Sequence, residues 1–317
     1  MKCSLVVPCY NEEDNVLEFY KAVKEAFLHR EDAFEVVFVN DGSKDGTIAK
    51  LRQIHEQDPD KTAVISFSRN FGKEAAILAG LRHAKGDFVT FIDADLQQHP
   101  DVACKMIDFL KENPEYDSVA AYQEKRREGI VLGGFKKLFY KIINKVSETE
   151  FKNGASDFRT IRRSVADAIL SMPEYSRFSK GIFSWVGFET YYMPYEALPR
   201  NAGESKWSFW KLTKYAIEGF VSFSTFPLKI ATFIGLLASI SSILYLIVVV
   251  VQKLCFSIDV PGYATIVVLI LFIGGIQLLI LGIIGEYLGR VYLQSKNRPV
   301  YIEKEYLAVK DEGKAND

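Results

Sequence analysis

The sequence predicts an α/β domain with a mainly parallel sheet flanked by helices, followed by juxtamembrane amphipathic helices and two transmembrane helices. Three observations lead there. Through Tyr122, short apolar runs alternate with amphipathic stretches in a βαβα rhythm, the pattern of a parallel sheet covered on both faces. After Pro227, two stretches, Ile230 to Gln252 and Val260 to Gly285, contain no charged residue, and each exceeds the roughly 20 residues that a helix needs to cross a bilayer. Finally, the apolar run from Phe88 ends in two carboxylates one residue apart, Asp93 and Asp95, and in open α/β sheets ligands bind beyond the carboxyl ends of strands.

The strands are expected at Cys3 to Pro8, Phe34 to Asn40, Ala63 to Phe67, Phe88 to Asp93 and Ser118 to Tyr122. Between them, Glu13 to Leu28, Asp45 to Gln57, Lys73 to His83 and Pro100 to Lys111 carry apolar residues at helical spacing. Asp45 is placed to cap the second helix. The length, 317 residues, suggests about two parts. A balance of 39 basic against 40 acidic residues gives no reason to expect nucleic acid as a partner. Cys3, Cys9, Cys104 and Cys255 are scattered, without the paired spacing of a zinc site, and read as reduced thiols. The N-terminal apolar run is broken by Pro8 and followed by acids, unlike a signal peptide, so the first domain is expected to stay in the cytoplasm.

Reading the strand ends surveys function. The first gives Pro8-Cys9-Tyr10-Asn11-Glu12, the second Asn40-Asp41-Gly42-Ser43, the third Arg69-Asn70-Phe71-Gly72-Lys73 and the fourth Asp93-Ala94-Asp95-Leu96-Gln97. These loops offer a tyrosine ring to stack on a base, carboxylates for ribose hydroxyls and a metal, and a lysine for phosphate. In an extended segment Asp93 and Asp95 share a face, and a hard divalent cation relieves two like charges that close. A solvated turn is the alternative reading. No Walker-type loop and no Gly-x-Gly-x-x-Gly follows a strand, which excludes the usual NTPase and dinucleotide sites.

The same four loops resemble those of inverting family-two glycosyltransferases with the GT-A fold. Arg200-Asn201-Ala202-Gly203-Glu204-Ser205-Lys206-Trp207, with two spans ending in Gly285-Glu286-Tyr287-Leu288-Gly289-Arg290 and then Arg298-Pro299-Val300-Tyr301, narrows the resemblance to polyprenyl-phosphate glycosyltransferases, the group of bactoprenol glucosyltransferases and dolichol-phosphate mannose synthases. Cys9 stands where that family more often has an aliphatic residue. The resemblance implies transfer of one sugar from a nucleotide-sugar, a UDP-sugar such as UDP-glucose, to undecaprenyl or another polyprenyl phosphate. It implies nucleotide-sugar contacts by Pro8, Tyr10, Asn11, Glu12, Asp41, Asn70, Lys73, Asp93, Ala94, Asp95 and Gln97. Mg²⁺ or Mn²⁺ would be held by Asp93, Asp95 and Gln97. Arg126, Arg127, Arg200, Ser205 and Lys206 would contact the acceptor phosphate or the diphosphate. Asp157 alone reads as an ordinary turn carboxylate; the resemblance makes it, with Asp95, a catalytic residue, either a base or a group that orients the acceptor.

The implied organisation is a cytoplasmic GT-A domain over 1–205, a juxtamembrane helix over 206–229, two transmembrane helices over 230–290 and a cytoplasmic tail over 291–317. Lysines and arginines crowd both outer flanks of the spans while the connection has only Lys253, so both termini face the cytoplasm of a multi-pass inner-membrane protein. Phe135 to Val146 reads as a basic amphipathic helix suited to a membrane interface, a pattern an ordinary surface helix shares, and Trp207 and Trp210 suit headgroup depth. Gly274, Gly275, Gly282 and Gly285 permit close helix packing within one chain or between chains of a homo-oligomer. A processive membrane polysaccharide synthase is the second reading, disfavoured because the chain lacks Gln-x-x-Arg-Trp.

Overall fold

The computed structural model describes residues 1–123, 155–196, 225–256 and 262–310. Its centre is four parallel strands, β1 (Lys2–Cys9), β2 (Ala33–Asn40), β3 (Thr62–Phe67) and β4 (Phe88–Phe91). They are followed in turn by α1 (Val16–Phe27), α2 (Thr47–Gln57), α3 (Lys73–His83) and α4 (Pro100–Glu112). All four strands and all four helices were legible in the apolar pattern. On the β4 side the sheet continues through β5 (Ser118–Gln123), β6 (Ala155–Arg162) and β7 (Thr190–Tyr195), and on the β3 side through β8 (Glu303–Leu307). The order is β7-β5-β6-β4-β1-β2-β3-β8. Among the described strands, β6 runs antiparallel to both β4 and β5 and β8 antiparallel to β3, while the other pairings are parallel.

β1 is buried on both faces, as a central parallel strand must be. Cys3, Leu5, Val7 and Cys9 point to a core shared with Phe19 and Val23 of α1 and Met106 and Ile107 of α4. Val6 points the other way, toward Ile77 and Leu81 of α3. The approach of α3 is close: a Cβ on Gly80 would lie 2.2 Å from Val6 Cγ1, so only glycine lets the helix sit there. Cys9, the departure from the family pattern, is fully packed, and burial pushes its thiol well above the ordinary range, as expected of an inert core thiol. The helices α5 (Arg163–Leu170) and α6 (Ser179–Trp185) cover the α3 side near β4 and β6.

The apolar runs form α7 (Phe226–Phe256), longer at both ends than its uncharged segment, and α8 (Tyr263–Ser295), which starts three residues later than its segment and runs ten residues further. Their most apolar windows are wholly uncovered by protein, the surface expected of lipid-facing helices. A Cβ added at Gly274, Gly275, Gly282 or Gly285 would meet no described atom within 4 Å, so these glycines do not serve packing of α8 against α7.

The segment after α8 was expected as a tail, yet residues 303–307 complete the sheet. Charged Glu-Lys-Glu gave no strand pattern, but this is the composition that protects a sheet edge. Arg52 donates to both carboxylate oxygens of Glu305, at 3.0 and 2.6 Å, and His83 meets Glu303 at 2.9 Å. Tyr301 stacks on Phe67 with ring centroids 4.9 Å apart. A chain truncated after Ile302 should therefore expose the β3 edge. We expect its Tm in detergent to fall by about 5 °C, from loss of about 2 kcal/mol of strand pairing and ion pairing, with more aggregation on heating. An unchanged melting curve would show that β8 adds nothing to the domain.

Candidate active site

The site is assembled by loops at the carboxyl ends of β1 to β4 and by one residue of β6. The β1 and β2 loops are laced together. Asn11, at φ 55°, donates its N–H to Ser43 Oγ at 3.0 Å and accepts from the Lys44 N–H at 3.0 Å. Glu12 N–H donates to Thr47 Oγ1, and the Gly46 N–H to Glu13 Oε2 at 2.6 Å. These contacts explain why α1 and α2 begin later than apolar spacing alone suggests: residues 11–14 and 43–46 are spent on each other. The N-cap of α2 is Gly46, one residue past the expected Asp45, whose carboxylate instead accepts from the N–H of Thr47 at 3.1 Å and its hydroxyl at 2.6 Å. Tyr10 stands 39% exposed at this rim, available for stacking.

Asp41 is only 3% exposed. Its two carboxylate oxygens accept from the N–H groups of Phe71 at 2.6 Å and Gly72 at 2.9 Å, and its carbonyl from Asn70 Nδ2 at 3.2 Å. Burial pushes its pKa up against those amides. In this geometry Asp41 and Asn70 organise the β3–α3 loop. Gly42, at φ 63°, lets that loop approach, since a Cβ there would lie 2.3 Å from the Arg69 carbonyl carbon. Gly72, at φ 97°, then turns the chain into α3 and delivers Lys73.

The Lys73 ammonium lies 2.6 Å from Asp93 Oδ1 and 3.7 Å from Asp157 Oδ2. Three residues singled out from distant parts of the sequence thus meet at one point. Burial works against the lysine's charge, but Asp93 and Asp157 outweigh it and hold its pKa above the ordinary value. Burial likewise opposes ionisation of Asp157, yet Lys73, Lys180 and Arg159 keep its pKa below the usual carboxylate range. Its Oδ1 is buried without a hydrogen-bond partner among the described residues, an acceptor left over for a substrate.

One geometric expectation is corrected. β4 ends at Phe91, where its pairing with β6 ends, so Asp93 and Asp95 do not share a strand face. They lie in the turn beyond it. Asp93 N–H is held by Gln98 Oε1 at 3.1 Å, Asp95 Oδ1 accepts from the Gln97 N–H at 3.1 Å, and Leu96 at φ 58° reverses the chain. The pair that does share a strand face is Asp157 and Arg159 of β6. As a metal site, Asp93 and Asp95 supply hard oxygen donors suited to Mg²⁺ or Mn²⁺, and Gln97 adds an amide. No group of three His, Cys, Asp or Glu side chains forms a cage among the described residues. The donor set therefore fits a cation whose shell is completed by substrate phosphate and water.

Reasoning from sequence missed four residues around Asp157. Arg159 is 6% exposed, its guanidinium 3.8 Å from the Phe183 ring centroid, and burial pushes its pKa down to about 10. Glu74 Oε2 accepts from the Ser179 N–H at 2.8 Å and from the Ser179 hydroxyl. Lys180 follows on α6. The alternation of Asp157, Arg159 and Ile161 with Phe158 and Thr160 was the available signal for β6, hidden by its charged members. Arg126, Arg127, Arg200, Ser205 and Lys206, with the amphipathic segments at 135–146 and 207–224, lie outside the described residues.

Burial, helped by the charge of Asp157, pushes Glu74 up to about 7 from an ordinary 4.5, against the opposing Ser179 bonds and Lys73. A pKa raised on folding means stability that is complete below the unfolded value and lost as pH rises through the folded one. The Tm of wild type minus that of Glu74→Gln should therefore fall as pH rises from about 4.5 to about 7 and level off above. A flat or rising difference would contradict the burial of this carboxylate.

Comparison with known proteins gives the family. Residues 4–170 match the glycosyl transferase family 2 model, and residues 226–291 match the GtrB C-terminal hairpin. A bactoprenol glucosyl transferase of Shigella phage SfV is 44% identical over 305 residues, 96% of this chain and 98% of its own. The putative glycosyltransferase CsbB of Bacillus subtilis is 43% identical over 95% of this chain and 91% of its own. A mannosyltransferase of Pyrobaculum calidifontis, solved with GDP-Man and Mn²⁺, shares 22% identity over 63% of this chain and 58% of its own at a TM-score of 0.45, too partial a likeness to add to the assignment. With its first 170 residues matched by the family model and near-full-length relatives above 40% identity, the chain belongs to glycosyltransferase family 2.

Proposed function

We propose that the protein transfers a single sugar, glucose from UDP-glucose in the first instance, to undecaprenyl or a related polyprenyl phosphate, with inversion, at the cytoplasmic face of the membrane. The observation that carries this reading is the meeting of Lys73, Asp93 and Asp157 at the sheet mouth of a chain that continues into two lipid-type helices. The Shigella phage relative, named for bactoprenol glucosyl transfer, supports the acceptor class. β8 supports the topology, because a strand that follows both apolar helices pairs with β3 of the catalytic sheet and so favours both termini on one side.

In the reaction a phosphate oxygen of the lipid attacks the anomeric carbon from the face opposite the nucleotide. The new carbon–oxygen bond forms as the bond to the diphosphate breaks, and the nucleoside diphosphate leaves with the electron pair. Tyr10 stacks on the base, and the rim bearing Pro8, Asn11 and Glu12 contacts the nucleoside. Lys73 turns from Asp93 to the diphosphate and stabilises its growing charge. A divalent cation held by Asp93, Asp95 and Gln97 would supply further neutralisation of that charge. A phosphate monoester loses its second proton near pH 6, so the acceptor is largely a dianion at neutral pH and needs little help from a base. The depressed pKa of Asp157 makes it a weak base, and its fixed negative charge suits it to orient the acceptor and to face positive charge developing at the anomeric carbon.

A panel of radiolabelled nucleotide-sugars with undecaprenyl phosphate should give a sugar-phospholipid of one added hexose by mass spectrometry. Longer chains, or no lipid product from any donor, would refute the reading. EDTA should abolish turnover and Mg²⁺ or Mn²⁺ restore it, and Asp95→Ala should lower kcat by at least ~100-fold; activity surviving both would exclude the metal. Asp157→Asn should lower kcat by ~100-fold without a new pH dependence near neutrality, and near-normal turnover would remove Asp157 from the chemistry.

A further inference from the structure

An acceptor phosphate that enters this mouth brings negative charge toward Asp93, Asp95 and Asp157. A cation has to accompany it. Lys73 is engaged with Asp93 and is required by the donor diphosphate. Arg159 is buried beneath Phe183 and has no surface to offer. Among the described residues, three cations bear on Asp157, and of these only Lys180 combines partial exposure with no ion pair to a described residue.

The stretch of α6 that carries Lys180 is held on both sides. Glu74 comes directly after Lys73 in the first turn of α3, and where Lys73 reaches β4 and β6, Glu74 reaches α6. Its Oε2 takes both the N–H of Ser179, at 2.8 Å, and the Ser179 hydroxyl, so one carboxylate oxygen fixes the start of α6. One turn further along, Phe183 lies against the Arg159 guanidinium at 3.8 Å and the Phe91 ring at 5.5 Å, anchoring the other end on β6 and β4. Lys180 lies between the clamps, one residue after Ser179.

We infer that Lys180 is a ligand of the acceptor phosphate and that Glu74 is the positioning residue that sets it beside Asp157. The inference rests on the lipid-phosphate reading given above. It assigns the two neighbours Lys73 and Glu74 complementary tasks, one toward the donor and one toward the acceptor side.

The test uses the full-length protein in detergent, with undecaprenyl phosphate and the nucleotide-sugar that the wild type turns over. Lys180→Met should raise KM for the lipid at least ~tenfold, the loss expected for one charged phosphate contact, and leave donor KM within about twofold. Glu74→Ala should reproduce that split. Glu74→Gln, whose amide oxygen still accepts from Ser179, should recover most of the loss. The double variant Glu74→Ala/Lys180→Met should be no worse than either single one, because both changes remove the same contact. Equal rises in donor and lipid KM, additive losses in the double variant, or failure of Gln to recover what Ala loses would overturn the inference. UDP binding by each variant, measured by calorimetry, separates a lost contact from a lost fold. If the wild type does not glycosylate the lipid at all, the acceptor reading itself falls and this assignment with it; if it does, the variants judge Lys180 and Glu74 alone.

Discussion

The position of the Lys73 ammonium between Asp93 and Asp157 is the constraint on which the rest of the site depends. Two carboxylates, one from the turn after β4 and one from β6, are brought to one point in a partly buried mouth, and like charges there are tolerated only when a cation accompanies them. The cation is delivered by a chain of backbone contacts. Asp41 binds the N–H groups of Phe71 and Gly72, Gly42 lets that loop lie against the β2 turn, and Gly72 starts α3 with Lys73 as its first residue. A buried carboxylate thus sets the position of Lys73 through the start of α3. This is why a site read as separate polar loops behaves as one unit.

The central strands and their helices were legible because each buries an apolar stripe of the right period: β1 through β4 are predominantly apolar and almost wholly buried, and α1 and α4 present clear faces to them. The site residues on the mouth loops were legible for a different reason, that strand ends in such sheets collect polar groups. What failed was geometry that depends on partners remote in sequence. The end of β4 is decided by where β6 stops pairing, and nothing in Phe88 to Asp95 records that. β6 itself carries Asp157 and Arg159 inward, and a buried charge on a strand reads as a loop until its opposite charge is known to be near. β8 reads as a solvated tail because an edge strand needs charges on its free side. The contact of Glu74 with Ser179, 105 residues apart, has no local signature at all.

The catalytic domain and the apolar hairpin are joined by more than the chain between them. At the end of α8, Gln294 donates to the Pro173 carbonyl at 2.9 Å and accepts from the Tyr175 N–H at 2.8 Å. That pins the loop between α5 and α6, the segment that leads into Ser179 and Lys180. A few residues later β8 is fixed on β3 at the edge of the sheet. Two attachments hold the helix end to the domain more firmly than one linker.

The length of α8 gives these attachments a purpose. At 33 residues it extends roughly 50 Å, against a hydrocarbon core of about 30 Å, so on the membrane reading about 20 Å of helix is left to reach the domain. The charged residues Glu286 and Arg290 begin where the uncharged stretch ends at Gly285, which puts the surplus at the end that meets Pro173 and Tyr175. A lipid phosphate is confined to headgroup depth, whereas a nucleotide-sugar arrives from solution. Reaction between them requires the site to be kept at a fixed height and angle, because misplacement by an ångström is enough to forfeit much of the advantage of orientation. On the same reading, a helix whose end is hydrogen-bonded to the loop before α6, and whose following strand is built into the sheet, would tie the height of the site to that of the membrane. The apolar hairpin would then be part of the architecture of the site and not only its anchor.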